Sequence, residues 1–88
     1  MIEIGSLVWD AWNVEHLKKH KVSVKEVEEI ASFKGKKSLK SYQGRLIILG
    51  RTKKKRLLTV VLAKEKQGTY YVVTARDMSK KERRYFLK

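Results

Sequence analysis

The sequence predicts a small α+β domain: an antiparallel sheet of three to four strands with helices packed on one face, in the order β-α-α-β-β-β-α. Two observations carry that expectation. Three runs rich in β-branched and aromatic residues lie between residues 46 and 75, joined by short polar links. Segments with helical apolar spacing and their own start signals stand on either side of them. The length of 88 residues allows a single domain, 1–88, with a thin core. Function is therefore expected on an open face rather than in a large enclosed pocket.

Leu7-Val8-Trp9 reads as a short strand or an extended arm. Asp10 stands where a helix N-cap is wanted, its carboxylate placed to accept an orphan backbone N–H, so a first helix should run from about Ala11 to His20. Ser23 and Glu26 fit the capping box, and Val22 with Val27 the hydrophobic staple. Val24, Val27, Ile30 and Ala31 then recur at helical spacing and carry a second amphipathic helix to about Phe33. Phe33 to Gln43 is basic and polar without a clear period, and reads as a connection. Strands follow at Leu46 to Leu49, Leu57 to Ala63 and Thr69 to Ala75. Lys53-Lys54-Lys55-Arg56 and Lys64 to Gly68 are short enough to be hairpin turns. Leu57 to Leu62 is apolar on both faces, as a central strand would be. Ser79 and Glu82 repeat the capping box and open a last helix to about Leu87.

Charge is the strongest compositional fact. The chain carries a net +13. Residues 1–33 hold four Lys/Arg against six Asp/Glu, and residues 34–88 hold eighteen against three, so the halves stand at −2 and +15. A lysine-rich solvated surface usually carries glutamate in similar amount; here the acids are missing. That points to RNA or another polyanion, whose counterions are released on binding, or to a strongly acidic protein partner. With no cysteine, disulfides and thiolate chemistry are excluded. Met1 to Val8 is too short for a signal sequence, and no apolar stretch approaches the ~20 residues of a membrane span. No membrane partner and a cytoplasmic location are expected.

Three constellations could carry chemistry. Asn13, His16 and His20 fall on one face of the first helix. The two imidazoles suit a general base and acid near neutral pH; the alternative is a purely structural role at the helix–sheet seam. A metal site would need a further ligand at a recognised spacing, and the sequence offers none, so neither metal nor cofactor is expected. Arg51 and Arg76 end the first and last core strands, and Arg83 and Arg84 follow in the last helix. Arginine's planar fork grips phosphate bidentately, although Arg76 could instead pair locally with Asp77. In the last helix Glu82 is already explained by capping, and Tyr85 could stack on a base or bury against the sheet. Asn13, Lys19, Lys54, Arg56, Arg83, Arg84 and Tyr85 form the expected RNA-contacting set. Tyr70 and Tyr71 must point to opposite sheet faces. Trp9 and Trp12 are expected to anchor the first helix to the sheet.

Taken together, these residues resemble a known family. Trp9-Asp10-x-x-Asn13-x-x-His16-x-x-x-His20-x-Val22, with Glu26-x-Glu28-Glu29 after it, resembles the opening of BrnT-like toxin proteins. Gly50-Arg51-Thr52 ahead of Leu57 to Leu62, then Val72-Val73-Thr74-Ala75-Arg76-Asp77-Met78 and Glu82-Arg83-Arg84, resembles their second half. The resemblance covers nearly the whole chain and fits a branch with its own histidine spacing. Where the family commonly has glycine after the second histidine, Lys21 stands here. The resemblance implies a fold similar to RelE-type toxins and an RNA-cleaving activity that halts translation. It also implies neutralisation by an antitoxin, often one with a ribbon-helix-helix part. The site residues it carries over are Asn13, His16, His20, Arg51, Arg76, Glu82 and Arg83. The expected reaction is metal-independent cleavage through the ribose 2′-OH, on free or ribosome-associated RNA, with His20 or His16 as base and Arg51 and Arg76 on the phosphate. The alternative is a basic module that binds RNA or an acidic antitoxin without cutting.

Overall fold

The computed structural model describes residues 4–40 and 44–88. The first three residues and the end of the expected connection to Gln43 lie outside the described residues. The elements are β1 (Ser6–Val8), α1 (Ala11–Lys19), α2 (Val24–Ser32), β2 (Lys37–Lys40), β3 (Arg45–Arg51), β4 (Leu57–Lys66), β5 (Thr69–Asp77) and α3 (Lys80–Phe86). They form one five-stranded sheet in the order β1-β5-β4-β3-β2.

The fold is α+β, with one correction to the strand count and one to a strand's direction. The connection after Phe33 contains β2, which pairs antiparallel with β3 through Lys37↔Leu49 to Lys40↔Leu46. Its lysines hid it, and they suit an edge strand because charge there discourages further pairing. The arm before Asp10 is β1, and it runs parallel to β5, with Ser6↔Thr69 and Val8↔Tyr71. The sheet is therefore mixed. The hairpin strands also run longer than expected: β4 reaches Lys66, and the turn narrows to Gln67 and Gly68, whose φ of 80° suits glycine.

All three helix starts behave as the sequence indicates. Asp10, Ser23 and Ser79 each accept the N3 backbone N–H, and the side chains of Asn13, Glu26 and Glu82 reach back to the cap N–H. The core lies between one sheet face and the first two helices. Leu17, Val27 and Ile30 pack on Ile48, Leu58, Val60, Leu62, Val72 and Ala75. Each of these buried leucine, isoleucine and valine side chains stabilises by roughly 1.5–3 kcal/mol. A Cβ added at Gly50 would meet the Ile30 side chain at 3.0 Å, so glycine is what lets α2 settle onto β3.

The helices do not share one face, which is a third correction. Thr59 and Arg76 are paired across β4 and β5 and alternate with Leu58, Val60 and Ala75, so they point away from α1 and α2. Both bond to Glu82 of α3, which places that helix across the opposite face. There it covers the end of the sheet where Leu49 and Thr59 are fully buried.

The two tryptophans part company. Trp9 is half-buried and its indole N–H donates to Glu28 at 2.8 Å, tying the approach to α1 onto α2 rather than onto the sheet. Trp12 is 83% exposed and anchors nothing. The two tyrosines do point to opposite faces. Tyr70 packs against the core, and Tyr71 donates its hydroxyl to the Asp10 carboxylate at 3.0 Å.

Candidate active site

The positive residues converge where α1 ends, β5 ends and α3 begins. α1 closes on a Schellman-type turn: Val22 N–H donates to Leu17 O at 3.1 Å and Lys21 N–H to Lys18 O at 3.0 Å. Lys21 takes the left-handed φ of 56° this turn requires. That is the conformation glycine adopts without cost.

Arg56, brought in by the β3–β4 turn, locks this corner. Its Nε donates to Asp77 at 2.9 Å, and Nη1 to both Glu26 oxygens at 3.2 Å and to Lys21 O at 2.8 Å. Nη2 reaches His20 O at 3.4 Å. Arg56 was expected on RNA; these bonds turn its fork inward instead. The bond to Asp77 raises the guanidinium's pKa, and its partner's falls. Asp77 is lowered first by that hydrogen bond, against the opposing effect of burial, and further by the charges of Arg56, Arg83 and His20. His20 and Arg83 thus both act on the same carboxylate at the end of β5.

Next to it stands Arg76. The local pairing with the Asp77 carboxylate does not form. Arg76 instead grips Glu82 bidentately, at 2.8 and 3.0 Å, and touches only the backbone oxygen of Asp77. Glu82 also accepts from Thr59 Oγ1 and the Ser79 N–H, each at 2.8 Å. With its side chain 16% exposed, it is held at about 2, chiefly by the Arg76 hydrogen bond working against burial. A carboxylate held so low stays ionised at neutral pH, so Glu82, carried into the site set by the resemblance, is not suited to move a proton. Its geometry serves to aim Arg76, which stays 40% exposed. Thr59 was legible in retrospect: a hydroxyl inside the apolar run Leu57 to Leu62 must find a buried partner.

The remaining expected residues are spread more widely. His16 and His20 are exposed, with ring centroids 5.6 Å apart, edge to face. Asn13 does not share their surface. It is 2% exposed, its amide spent on Val8 O at 2.9 Å and on the Asp10 N–H, also at 2.9 Å. It is therefore closed to RNA and fixes the start of α1. Arg51 shares the sheet face of Arg76 but stands two strands away, about 10 Å sideways. Its guanidinium lies 5.6 Å from the Phe33 ring. Lys19, Lys54, Arg83 and Arg84 are exposed. Tyr85 is 42% exposed, with Lys37 Nζ 5.1 Å over its ring, so it is neither buried nor fully free. Among the described residues, no group of three or more His, Asp or Glu side chains is arranged to hold a metal ion, and no helix is long and apolar enough to cross a membrane.

Comparison with known proteins supplies the context. The family model described as "Ribonuclease toxin, BrnT, of type II toxin-antitoxin system" matches residues 9–82. The structure is similar to the crystal structure of the Brucella abortus ribonuclease toxin, BrnT, with a TM-score of 0.68 over 85% of this chain and 97% of that one. At 18% identity, that likeness speaks to fold. No curated protein matches the sequence.

Proposed function

We propose that this chain, which belongs to the BrnT family of ribonuclease toxins of type II toxin–antitoxin systems, cuts RNA without a metal by attack of a ribose 2′-oxygen on the adjacent phosphorus. Family membership carries with it an RNA substrate and an antitoxin partner. His20 takes the 2′-hydroxyl proton, the 2′-oxygen bonds to phosphorus, and the bond to the 5′-oxygen breaks. His16, with its ring 5.6 Å from that of His20, returns a proton to the departing oxygen. The products are a 2′,3′-cyclic phosphate and a 5′-hydroxyl.

Arg76 and Arg83 meet the charge that grows on phosphorus, where fixed donors act most strongly. Glu82 aims Arg76, and Arg56 fixes the turn that carries His20. Arg51, Lys19, Lys54, Arg84 and Tyr85 extend the contact along the strand. The observation that carries this reading is that Arg56 ties the His20–Lys21 turn to Asp77, the residue next to Arg76, whose guanidinium Glu82 holds in place. We place the reaction in the cytoplasm, on free or ribosome-bound RNA. An acidic antitoxin, with a ribbon-helix-helix part in this reading, would cover the same positive rim.

Single-turnover cleavage of a short RNA by the His20→Ala and Arg76→Ala proteins tests the roles. Each should be slower by roughly 100-fold or more, the range of general acid–base and fixed-charge contributions. Rates equal to the parent's in both would refute the assignment.

A further inference from the structure

Trp12 is left without a structural task. Its side chain is 83% exposed, the most open of the large apolar side chains among the described residues. Aromatic side chains gain stability by burial, and an indole set almost wholly in water forgoes that gain. Nor does helix propensity ask for tryptophan in the first turn of α1.

Its neighbours carry the second observation. Trp12, His16 and His20 recur at i, i+4 and i+8, so they form one exposed stripe along α1. Trp12 opens a shallow hollow that it shares with Ala11, Glu15, His16 and Lys19. Glu15, the acid in that hollow, is held by Lys18 at 3.3 Å. Around it stand Lys18 and Lys19 beside the two imidazoles, and the Asp77 carboxylate near His20 is paired with Arg56 at 2.9 Å. Along the helix axis Trp12 lies about 12 Å from His20, the reach of a few nucleotides of extended strand.

We infer that Trp12 is a stacking platform for one unpaired base of the RNA, a few nucleotides from the cleaved bond, with Lys19 on the neighbouring phosphate. This rests on the reading of the chain as an RNA-cutting enzyme and names a further residue that selects its substrate. A flat indole beside cations offers what single-stranded RNA recognition uses, because every unpaired base presents a π-face. Duplexed bases are already stacked and cannot use it. The platform therefore favours single-stranded stretches over helices.

The test measures the affinity of the full chain for a labelled single-stranded oligoribonucleotide and for the same sequence as a duplex, together with cleavage of the single strand. Binding is read with a 2′-O-methyl strand that cannot be cut. Trp12→Ala should weaken single-strand binding roughly 5- to 100-fold, the span of base–aromatic stacking. Duplex binding should stay unchanged, and Trp12→Phe should recover most of the loss. Urea unfolding of Trp12→Ala should match the parent, since the side chain buries almost nothing. Equal single-strand affinity in Trp12→Ala and the parent would overturn the inference, as would equal losses on single strand and duplex. So would unchanged RNA binding with lost inhibition by the antitoxin, which would make Trp12 a protein contact. A parent that shows the Trp12 effect on binding but cuts nothing would refute the enzymatic reading and leave the platform standing. A parent that cuts RNA, with Trp12→Ala binding and cutting equally well, would do the reverse.

Discussion

Replacing Glu82 by glutamine should destabilise the fold at neutral pH, and the loss should vanish in acid. The carboxylate accepts from Arg76, Thr59 and the Ser79 N–H, and its pKa falls from an ordinary 4.5 to about 2. At about 1.4 kcal/mol per pKa unit, that fall sets a ceiling near 3.4 kcal/mol. Arg76 is 40% exposed, so solvent screens the pair, and about 1–2 kcal/mol is the expected cost. The glutamine oxygen can still accept from Thr59 and Ser79, so the change removes the charge and the one bond from Arg76 Nη2 that an amide NH2 cannot accept. The direction follows from the lowered pKa: the stabilisation is complete above pH 4.5 and disappears as pH falls through about 2. About two-fifths of it should remain at pH 3. Urea unfolding of both proteins from pH 7 to pH 3 measures the gap directly. With a slope of about 1 kcal/mol per molar urea, the midpoints should differ by roughly 1–2 M at pH 7 and by about two-fifths of that at pH 3. Glu26 and Asp77 also titrate from lowered values, but both proteins share them, so they drop out of the difference. A gap that is independent of pH, or absent at pH 7, would refute the role given to this ion pair.

Lys21→Gly should stabilise by about 1 kcal/mol in urea or thermal unfolding, because the left-handed φ of 56° costs lysine what glycine does not incur. Asn13→Ala should destabilise by roughly 1–3 kcal/mol in the same assays, since it leaves Val8 O and the Asp10 N–H without their partner. Gly50→Ala should also destabilise, by about 1–3 kcal/mol, as its Cβ would press on Ile30 at 3.0 Å. A neutral result at Gly50 would mean that α2 can slide outward on the sheet.

The elements legible in the sequence were those whose signals are local. The Ser23–Glu26 and Ser79–Glu82 boxes lie three residues apart, and the apolar runs of β3, β4 and β5 are joined by short links. What is not legible depends on distant partners. β1 reads as a short strand or arm, but its parallel pairing is set by Tyr70 and Tyr71, some sixty residues on, and β2 is an edge strand hidden by its lysines. The site divides the same way. His16, His20, Arg76 and Glu82 stand out as residue types, but who pairs with whom is set by tertiary packing. Arg56 looks like a free cation in the sequence, where nothing brings Asp77, Glu26 and the His20–Lys21 turn to its fork. Asn13 was read with the histidines by helical spacing. Its burial follows from Asp10 taking the cap and drawing the Asn13 side chain back over the first turn. Trp12 was assigned an anchoring role on residue type alone, and the rotation of α1 on the sheet, which no single residue announces, turns it into solvent.

The central claim is RNA cleavage through the ribose 2′-OH without a metal. The most direct measurement is incubation of the purified chain with total and ribosome-bound RNA in EDTA, followed by chemical identification of the 3′ ends of the fragments. Fragments ending in 2′,3′-cyclic phosphate, absent when His20→Ala replaces the parent, are the predicted result. RNA left intact, or fragments that form equally well with His20→Ala, would contradict it.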